Sequence, residues 1–318
     1  MTQIAGKAIA PLALGGNVFG WTADETTSFR ILDAFVDAGG SMIDTADVYS
    51  NWAPGHKGGE SETVIGNWLR RDPSKRDRIV IATKVGYLDG AIVDDEFVAN
   101  LEPAVIVRAA EASLQRLGVD KIDLLYQHGD NRNVPLGDSL GAMEQLRLDG
   151  KIGAIGLSNF DAARVEEVLD VSAANEFEPP TALQNWYNLM ERDRFEGPLQ
   201  DLAVARGLSE FPYFGLAAGF LTGKYRATDD LTQSVRGARV GNYVGSVKGN
   251  RVLLALDEVA AETGTSPATV ALAWLKVQPG IGAPIASATS VEQLDQLVAA
   301  MRLELNADQL DHLTQSSA

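Results

Sequence analysis

Short apolar runs rich in β-branched residues alternate with segments of helical period down the whole chain. Strands are predicted over Leu12–Gly16, Met42–Thr45, Ile79–Lys84, Ile122–His128, Ile152–Ser158, Ala182–Trp186, Leu208–Phe214 and Pro284–Ala288. Helical periodicity falls between them, over Glu25–Ala38, Ser61–Arg70, Val105–Leu117, Leu140–Leu148, Ala162–Leu169, Phe195–Ala205 and Asn250–Thr263. Strand-then-helix repetition describes parallel strands, because parallel neighbours need a long crossover that a helix usually fills. Eight such units in one unbroken series predict a closed (β/α)8 TIM barrel, a single domain over residues 1–318. A doubly wound dinucleotide fold would place GxGxxG after the first strand, and Leu14-Gly15-Gly16-Asn17-Val18 does not supply it.

Several boundaries carry a mechanism. Asp161 is placed to cap the helix that follows it. Ser266-Pro267 sets a cap residue before a proline at the first helical position. Ser290 to Gln293 has the spacing of a capping box. The long irregular segments, Ser50–Glu60 and Arg226–Gly249, both follow strands, so both belong on the C-terminal face where barrel loops build active sites.

Composition narrows the function. Apolar content of 45% and charged content of 22% in 318 residues describe an ordinary globular chain. No run approaches the roughly 18 apolar residues of a membrane span. Lys7 interrupts the N-terminal apolar stretch and no cleavage pattern follows, which argues against a secretory signal. The absence of cysteine excludes disulfides and thiolate chemistry and fits a cytoplasmic setting. Three histidines without HExxH-like spacing argue against a resident metal. A net charge of −16 argues against nucleic-acid and anionic-membrane partners, so any anionic ligand must be held by a local site. Oligomeric state is not readable from these features.

The chemistry lies at strand ends. Asp44, Lys84 and His128 close the second, third and fourth strands, MIDT, IVIATK and DLLYQH. Adjacent strands are about 4.8 Å apart, so polar side chains at one rim can touch. Asp44 and Lys84 can pair, and Tyr49 can fold back from its loop. A phenol with pKa near ~10 is a poor acid at neutral pH, and a neighbouring ammonium lowers it. Tyr49 then protonates a carbonyl oxygen to which His128 donates a hydrogen bond, which suits hydride transfer. Alone, each residue reads more readily as a turn former, a solvated charge, a loop aromatic or a packed ring; together at one rim they do not. Asp47, in the same turn, reads as a loop cap.

The chain resembles the aldo-keto reductases from about Leu12 to Leu310. The resemblance is carried by Ile43-Asp44-Thr45-Ala46-Asp47-Val48-Tyr49, Gly59-Glu60-Ser61-Glu62, Ala82-Thr83-Lys84 and Asp123-Leu124-Leu125-Tyr126-Gln127-His128. It extends through Gly150-Lys151-Ile152, Gly156-Leu157-Ser158-Asn159 and Gly219-Phe220-Leu221-Thr222-Gly223-Lys224-Tyr225. It implies a (β/α)8 enzyme that reduces a small-molecule aldehyde or ketone with a nicotinamide, NADPH by default. Asp44, Tyr49, Lys84 and His128 fall on the family's catalytic tetrad. Ser158, Asn159 and Gln184 match positions that bind the nicotinamide carboxamide, and Tyr213 matches the aromatic stacked on its ring. Leu216, Gly219, Leu221 and Lys224 match the pyrophosphate loop, and Arg236 an arginine that closes over it.

Ser287, Thr289 and Gln293 match the turn around the adenosine 2′-phosphate, but the family's frequent lysine or arginine is missing there. That departure leaves NADH acceptance open. Tyr213-Phe214-Gly215-Leu216 stands where relatives commonly show Tyr-Ser-Pro-Leu, so Phe214 replaces a polar cofactor contact. Glu210 falls inside a predicted buried strand, where a carboxylate needs a partner. Trp21, Trp52 and His56, with Trp186 and Tyr187, are candidates to line the substrate pocket, and aromatic walls suit sugars and flat carbonyls alike. Two other readings are a nucleotide-binding protein without turnover and a Schiff-base aldolase using Lys84.

Overall fold

A computed structural model describes residues 2–93, 96–233 and 237–318. An antiparallel hairpin, β1 (Gln3–Ile4) and β2 (Lys7–Ala8), precedes β3 (Ala13–Gly15), β4 (Met42–Asp44) and β5 (Val80–Val85). A second hairpin, β6 (Ala91–Val93) and β7 (Glu96–Val98), interrupts the chain before β8 (Ile122–Gln127). Then come β9 (Ile152–Ser158), β10 (Ala182–Gln184), β11 (Ser209–Glu210) and β12 (Ile285–Ala286). Eight of these strands pair in parallel in the order β11-β10-β9-β8-β5-β4-β3-β12. Ile285 N donates to Pro212 O at 2.9 Å, and Glu210 bridges Ile281, so the β11 edge meets the β12 edge. The ring is a (β/α)8 barrel.

Strand alternation explains its packing, because successive side chains point to opposite faces. Met42, Val80, Ala82, Leu124, Tyr126, Ala154 and Ala182 fill the interior together with Ile4 and Ile9 from the N-terminal segment. Ile43, Ile81, Leu125, Ile155, Leu157 and Leu183 face the helices. A Cβ on Gly156 would lie 2.4 Å from the Tyr126 ring, so glycine in β9 is what lets that tyrosine occupy the barrel.

The helices are α1 (Glu25–Asp37), α2 (Glu60–Arg71), α3 (Pro103–Leu117), α4 (Leu136–Leu148) and α5 (Ala162–Ala174), each a crossover. They continue as α6 (Pro198–Arg206), α7 (Val247–Thr263), α8 (Pro267–Lys276), α9 (Val291–Ala299) and α10 (Ala307–Ser316). Among the described residues, no helix is long and apolar enough to cross a membrane. Asp161 and Ser266 cap α5 and α8 as their positions predict. Ser290 caps α9, but the capping box is incomplete: Gln293 turns its Oε1 to Thr289 N and Oγ1, each at 3.0 Å.

The expected strand over Leu208–Phe214 shrinks to two residues. Pro212 has no N–H for the ladder, and Phe214 takes φ of 55°, which ends extended backbone. The expected helix from Phe195 starts instead at Pro198, after Gly197 at φ of 93°. On the N-terminal face Asp123 is closed off as a structural site: its carboxylate meets Arg76 at 2.8 Å and Lys7 at 3.2 Å and accepts from Ile81 N.

Candidate active site

The site is built where β4, β5, β8, β9 and β10 end. Asp44, Lys84 and Gln184 face inward because they lie an even number of residues from Met42, Val80 and Ala182, which line the interior. Lys84 Nζ donates to Asp44 Oδ1 at 2.9 Å and Oδ2 at 2.8 Å, to Thr45 O at 2.8 Å and to Tyr49 Oη at 3.2 Å. Gln184 Nε2 donates to Asp44 Oδ1 at 2.8 Å, so the carboxylate has a second donor from across the barrel.

Lys84 and Asp44 are almost entirely removed from water. Burial works against the lysine's charge, but attraction and hydrogen bonds from Asp44 win and hold it above its usual value. A lysine held as ammonium offers no free amine for a Schiff base, which weighs against the aldolase reading. The effect on Tyr49 differs from the sequence expectation. Lys84 does pull the phenol down, but burial outweighs it and Asp44 offsets the ammonium, so Tyr49 sits above its ordinary value. The phenol is therefore firmly protonated.

His128 follows β8. Burial, then the Lys84 charge, hold it well below the ordinary histidine value, so the ring is neutral at physiological pH. Its Nδ1 is buried with no hydrogen-bond partner. The ring lies 6.1 Å from that of Tyr49, centroid to centroid, and is stacked at 4.2 Å on Tyr87. Tyr87 is a site residue that sequence reading missed, although an aromatic three positions after Lys84 was a visible signal.

The expected carboxamide set is brought together beside the tetrad. Ser158 Oγ donates to Gln184 O at 2.9 Å. Asn159, at φ of 62°, donates from Nδ2 to His128 O and to Ser158 Oγ, and accepts from Tyr213 Oη at 2.8 Å. Phe214 packs on Trp186 at 5.2 Å and Tyr213 lies 6.4 Å from the same indole, whose Nε1 is buried without a partner. Trp52 stands edge-on to Tyr49 at 5.7 Å, and Trp21 edge-on to Trp52 at 5.6 Å. His56 Nδ1 bonds Ser50 Oγ at 3.0 Å in the same loop. Tyr187 does not join them: it is fully buried, with Oη on Glu196 and its ring against Phe195 and Trp274. Strand alternation turns it to the helix layer, correcting its expected place in the substrate pocket.

The residues expected around the cofactor phosphates are dispersed over two loops. Gly219 takes φ of 100° within the short 3-10 segment Ala217–Thr222, a turn that glycine permits. Leu216 is half-buried beside it and Lys224 is exposed, its Nζ 4.9 Å over the Tyr225 ring. Leu221 is fully buried in the core. Ser287 Oγ donates to Asn17 Oδ1 at 2.8 Å, while Thr289 and Gln293 bond each other over the start of α9. Arg236 lies outside the described residues.

These residues fit a nicotinamide nucleotide by the chemistry of the donor set. Hydroxyl and amide groups converge within 3.1 Å of one another between the tetrad and an aromatic face, the complement of a flat carboxamide ring. No lysine or arginine occurs from Ser287 to Gln293, and Glu292 places a negative charge in the first turn of α9.

A family model described as "Aldo/keto reductase family" matches residues 11–318. The chain is 32% identical to "Uncharacterized oxidoreductase YrpG" of Bacillus subtilis (strain 168), over 95% of this chain and 90% of that protein. It is 30% identical to "Aflatoxin B1 aldehyde reductase member 4" of Homo sapiens, over 94% and 91% of the two chains. To "Aldo-keto reductase str7" of Strobilurus tenacellus it is 29% identical, over 92% and 81%.

Proposed function

The chain belongs to the aldo/keto reductase family, and from that premise we propose that it reduces an aldehyde or ketone to the alcohol with Tyr49 as proton donor. The observation that carries this is the convergence of Lys84 Nζ on both Asp44 oxygens and, at 3.2 Å, on the Tyr49 phenol. A reduced nicotinamide supplies the hydride when bound. Ser158, Asn159 and Gln184 hold its carboxamide, Tyr213 its ring face, and the Gly219–Lys224 loop its phosphates.

The chain's own groups handle the proton. Tyr49 is protonated and neutral His128 donates a hydrogen bond, so both present hydrogen to the carbonyl oxygen. An alkoxide is a far stronger base than a phenolate, so the proton passes from Tyr49 even though burial raises its pKa. Lys84 is already in contact with the phenol oxygen and stabilises the phenolate that remains, while Asp44 keeps Lys84 charged and aimed. Trp21, Trp52 and Trp186 shape the space above Tyr49 for a flat or ring-bearing carbonyl compound. Relatives named as aldehyde reductases make aldehydes the first substrates to try. Lack of cysteine fits work in the cytoplasm.

A carbonyl panel followed at the nicotinamide absorbance tests the reading, with turnover expected for aromatic aldehydes. Tyr49→Phe should lower kcat by about 10² to 10⁴ while NADPH binds as before; near-native activity in that variant refutes the acid. The turn at Ser287–Gln293 carries Glu292 and no cation, which weakens recognition of the 2′-phosphate, so NADPH is preferred over NADH by no more than about tenfold. Titrating each nucleotide separately decides this, and a preference of about a thousandfold would remove it.

A further inference from the structure

Asn185, the residue after β10, is gripped by one side chain. Its backbone N–H donates to Glu210 Oε1 at 2.6 Å and its Nδ2 to Glu210 Oε2 at 3.0 Å. Glu210 is pinned from its other side, donating from its N–H to Gly280 O at 2.9 Å and accepting from Gly282 N at 2.7 Å. The carboxylate is fully buried, and the proton-transfer groups do not use it. Glu210 is in register with Leu183, which packs toward the helices. Alternation along the strand places Leu183 and Asn185 on that helix-facing side and Gln184 on the interior side. The clamp therefore lies behind the strand end whose inward group, Gln184, meets Asp44. Asn185 O also accepts from Tyr213 N at 3.0 Å, and Trp186 forms a bridge with Tyr213.

We propose that Glu210 is a positioning residue for carbonyl reduction: by clamping Asn185 it fixes the exit of β10, aims Gln184 at Asp44 and sets Trp186 against Tyr213. What that wall does rests on the reductase reading; the clamp itself does not.

The full grip requires the anion. A carboxylate accepts at both oxygens, whereas the protonated acid donates from one and would turn that hydrogen against the Asn185 amide donor. Burial pushes Glu210 up to about 7, with the Asn185 hydrogen bonds pulling the other way. Tyr126 from β8 and Tyr213 after β11 both feel its charge, and both are held above the ordinary phenol value, so both stay protonated near neutrality. The segment 280–282 contributes backbone only. Glu210 thus changes charge near neutral pH, and the wall tightens as pH rises through about 7.

Three variants test this: Glu210→Gln, which cannot titrate; Glu210→Ala, which removes the clamp; and Asn185→Ala, which keeps only the backbone donor. Tryptophan fluorescence of the nucleotide-free protein is titrated across neutral pH, and NADPH affinity is measured at both ends of the range. The wild type should show an inflection near neutrality that is absent from Glu210→Gln and from a Trp186→Phe control. Its NADPH affinity should rise with pH while that of Glu210→Gln stays flat. At the alkaline end Glu210→Ala and Asn185→Ala should bind NADPH about tenfold more weakly, with Glu210→Gln within about threefold of wild type. Should Glu210→Ala fail to fold, the other two carry the comparison. Superimposable titrations of wild type and Glu210→Gln, or native affinity in Asn185→Ala, overturn the proposal. A role confined to stability would lower the melting temperature and leave the inflection in place. If the wild type turns over no carbonyl, the reductase reading falls while the fluorescence titration still decides the clamp.

Discussion

Three protein oxygens and a phenol surround the Lys84 ammonium, and they explain how a lysine stays charged with almost no water contact. A buried ion pair contributes little net stability, but removing one partner strands the other. Asp44→Asn should cost about 3–5 kcal/mol of stability in urea unfolding and lower kcat by at least about a hundredfold. Tyr87→Ala removes the ring stacked at 4.2 Å on His128 and should lower kcat by up to about tenfold with the melting temperature little changed. The meeting of Asp44, Tyr49, Lys84 and His128 at one rim was legible in the sequence because each ends a strand or lies in the loop after one. The stacking of Tyr87 on His128 and the Gln184–Asp44 bond were not, because both depend on side-chain direction after the barrel has closed.

Between elements, one close approach bearing on the site is that of α2 to α3. A Cβ on Gly66 would lie 2.1 Å from Arg116 O, so α2 can approach that closely only as glycine. The approach lets Arg116 Nε reach Glu62 Oε2 at 2.6 Å beneath the loop that carries Tyr49. Gly66→Ala should destabilise by about 1–3 kcal/mol or more, read as a lowered unfolding midpoint, because backbone atoms must separate. At α5, Asp161 Oδ1 accepts from Arg164 N at 2.8 Å, and Asp161→Ala should cost about 1 kcal/mol by the same measurement. That cap was readable because it depends on local order alone. The early end of β11 was signalled by Pro212, but the strained turn at Phe214 was not, since φ there is imposed by packing.

Across the whole molecule, two buried carboxyls, Asp47 and Glu210, contribute to how stability follows pH. Asp47, expected to be a loop cap, is buried with only weak backbone partners at Val48 and Gly86; burial, then the nearby Glu62 charge, push it up to about 8, with Arg116 and those amides pulling the other way. Glu210 is pushed up to about 7. Folded values above the ordinary carboxyl range mean that the native state binds more protons than the unfolded chain in that interval. Stability is therefore full below about pH 4 with respect to these two groups and falls as pH rises toward 8, by on the order of a few kcal/mol. Urea midpoints across that range should fall less steeply in Asp47→Asn and Glu210→Gln; slopes equal to wild type would remove the assignment. The sequence by itself determined the barrel, through apolar period and strand-helix alternation, and that Asp44, Lys84 and His128 stand at strand ends. Those are local patterns that survive without knowledge of the fold. Only the tertiary structure decided that Tyr187 leaves the site, that Gln184 meets Asp44 and that Asn185 is the partner of Glu210. Residues 140 apart touch only when a closed ring sets their register, and burial, which raises Tyr49, Asp47 and Glu210 alike, exists only in the packed molecule.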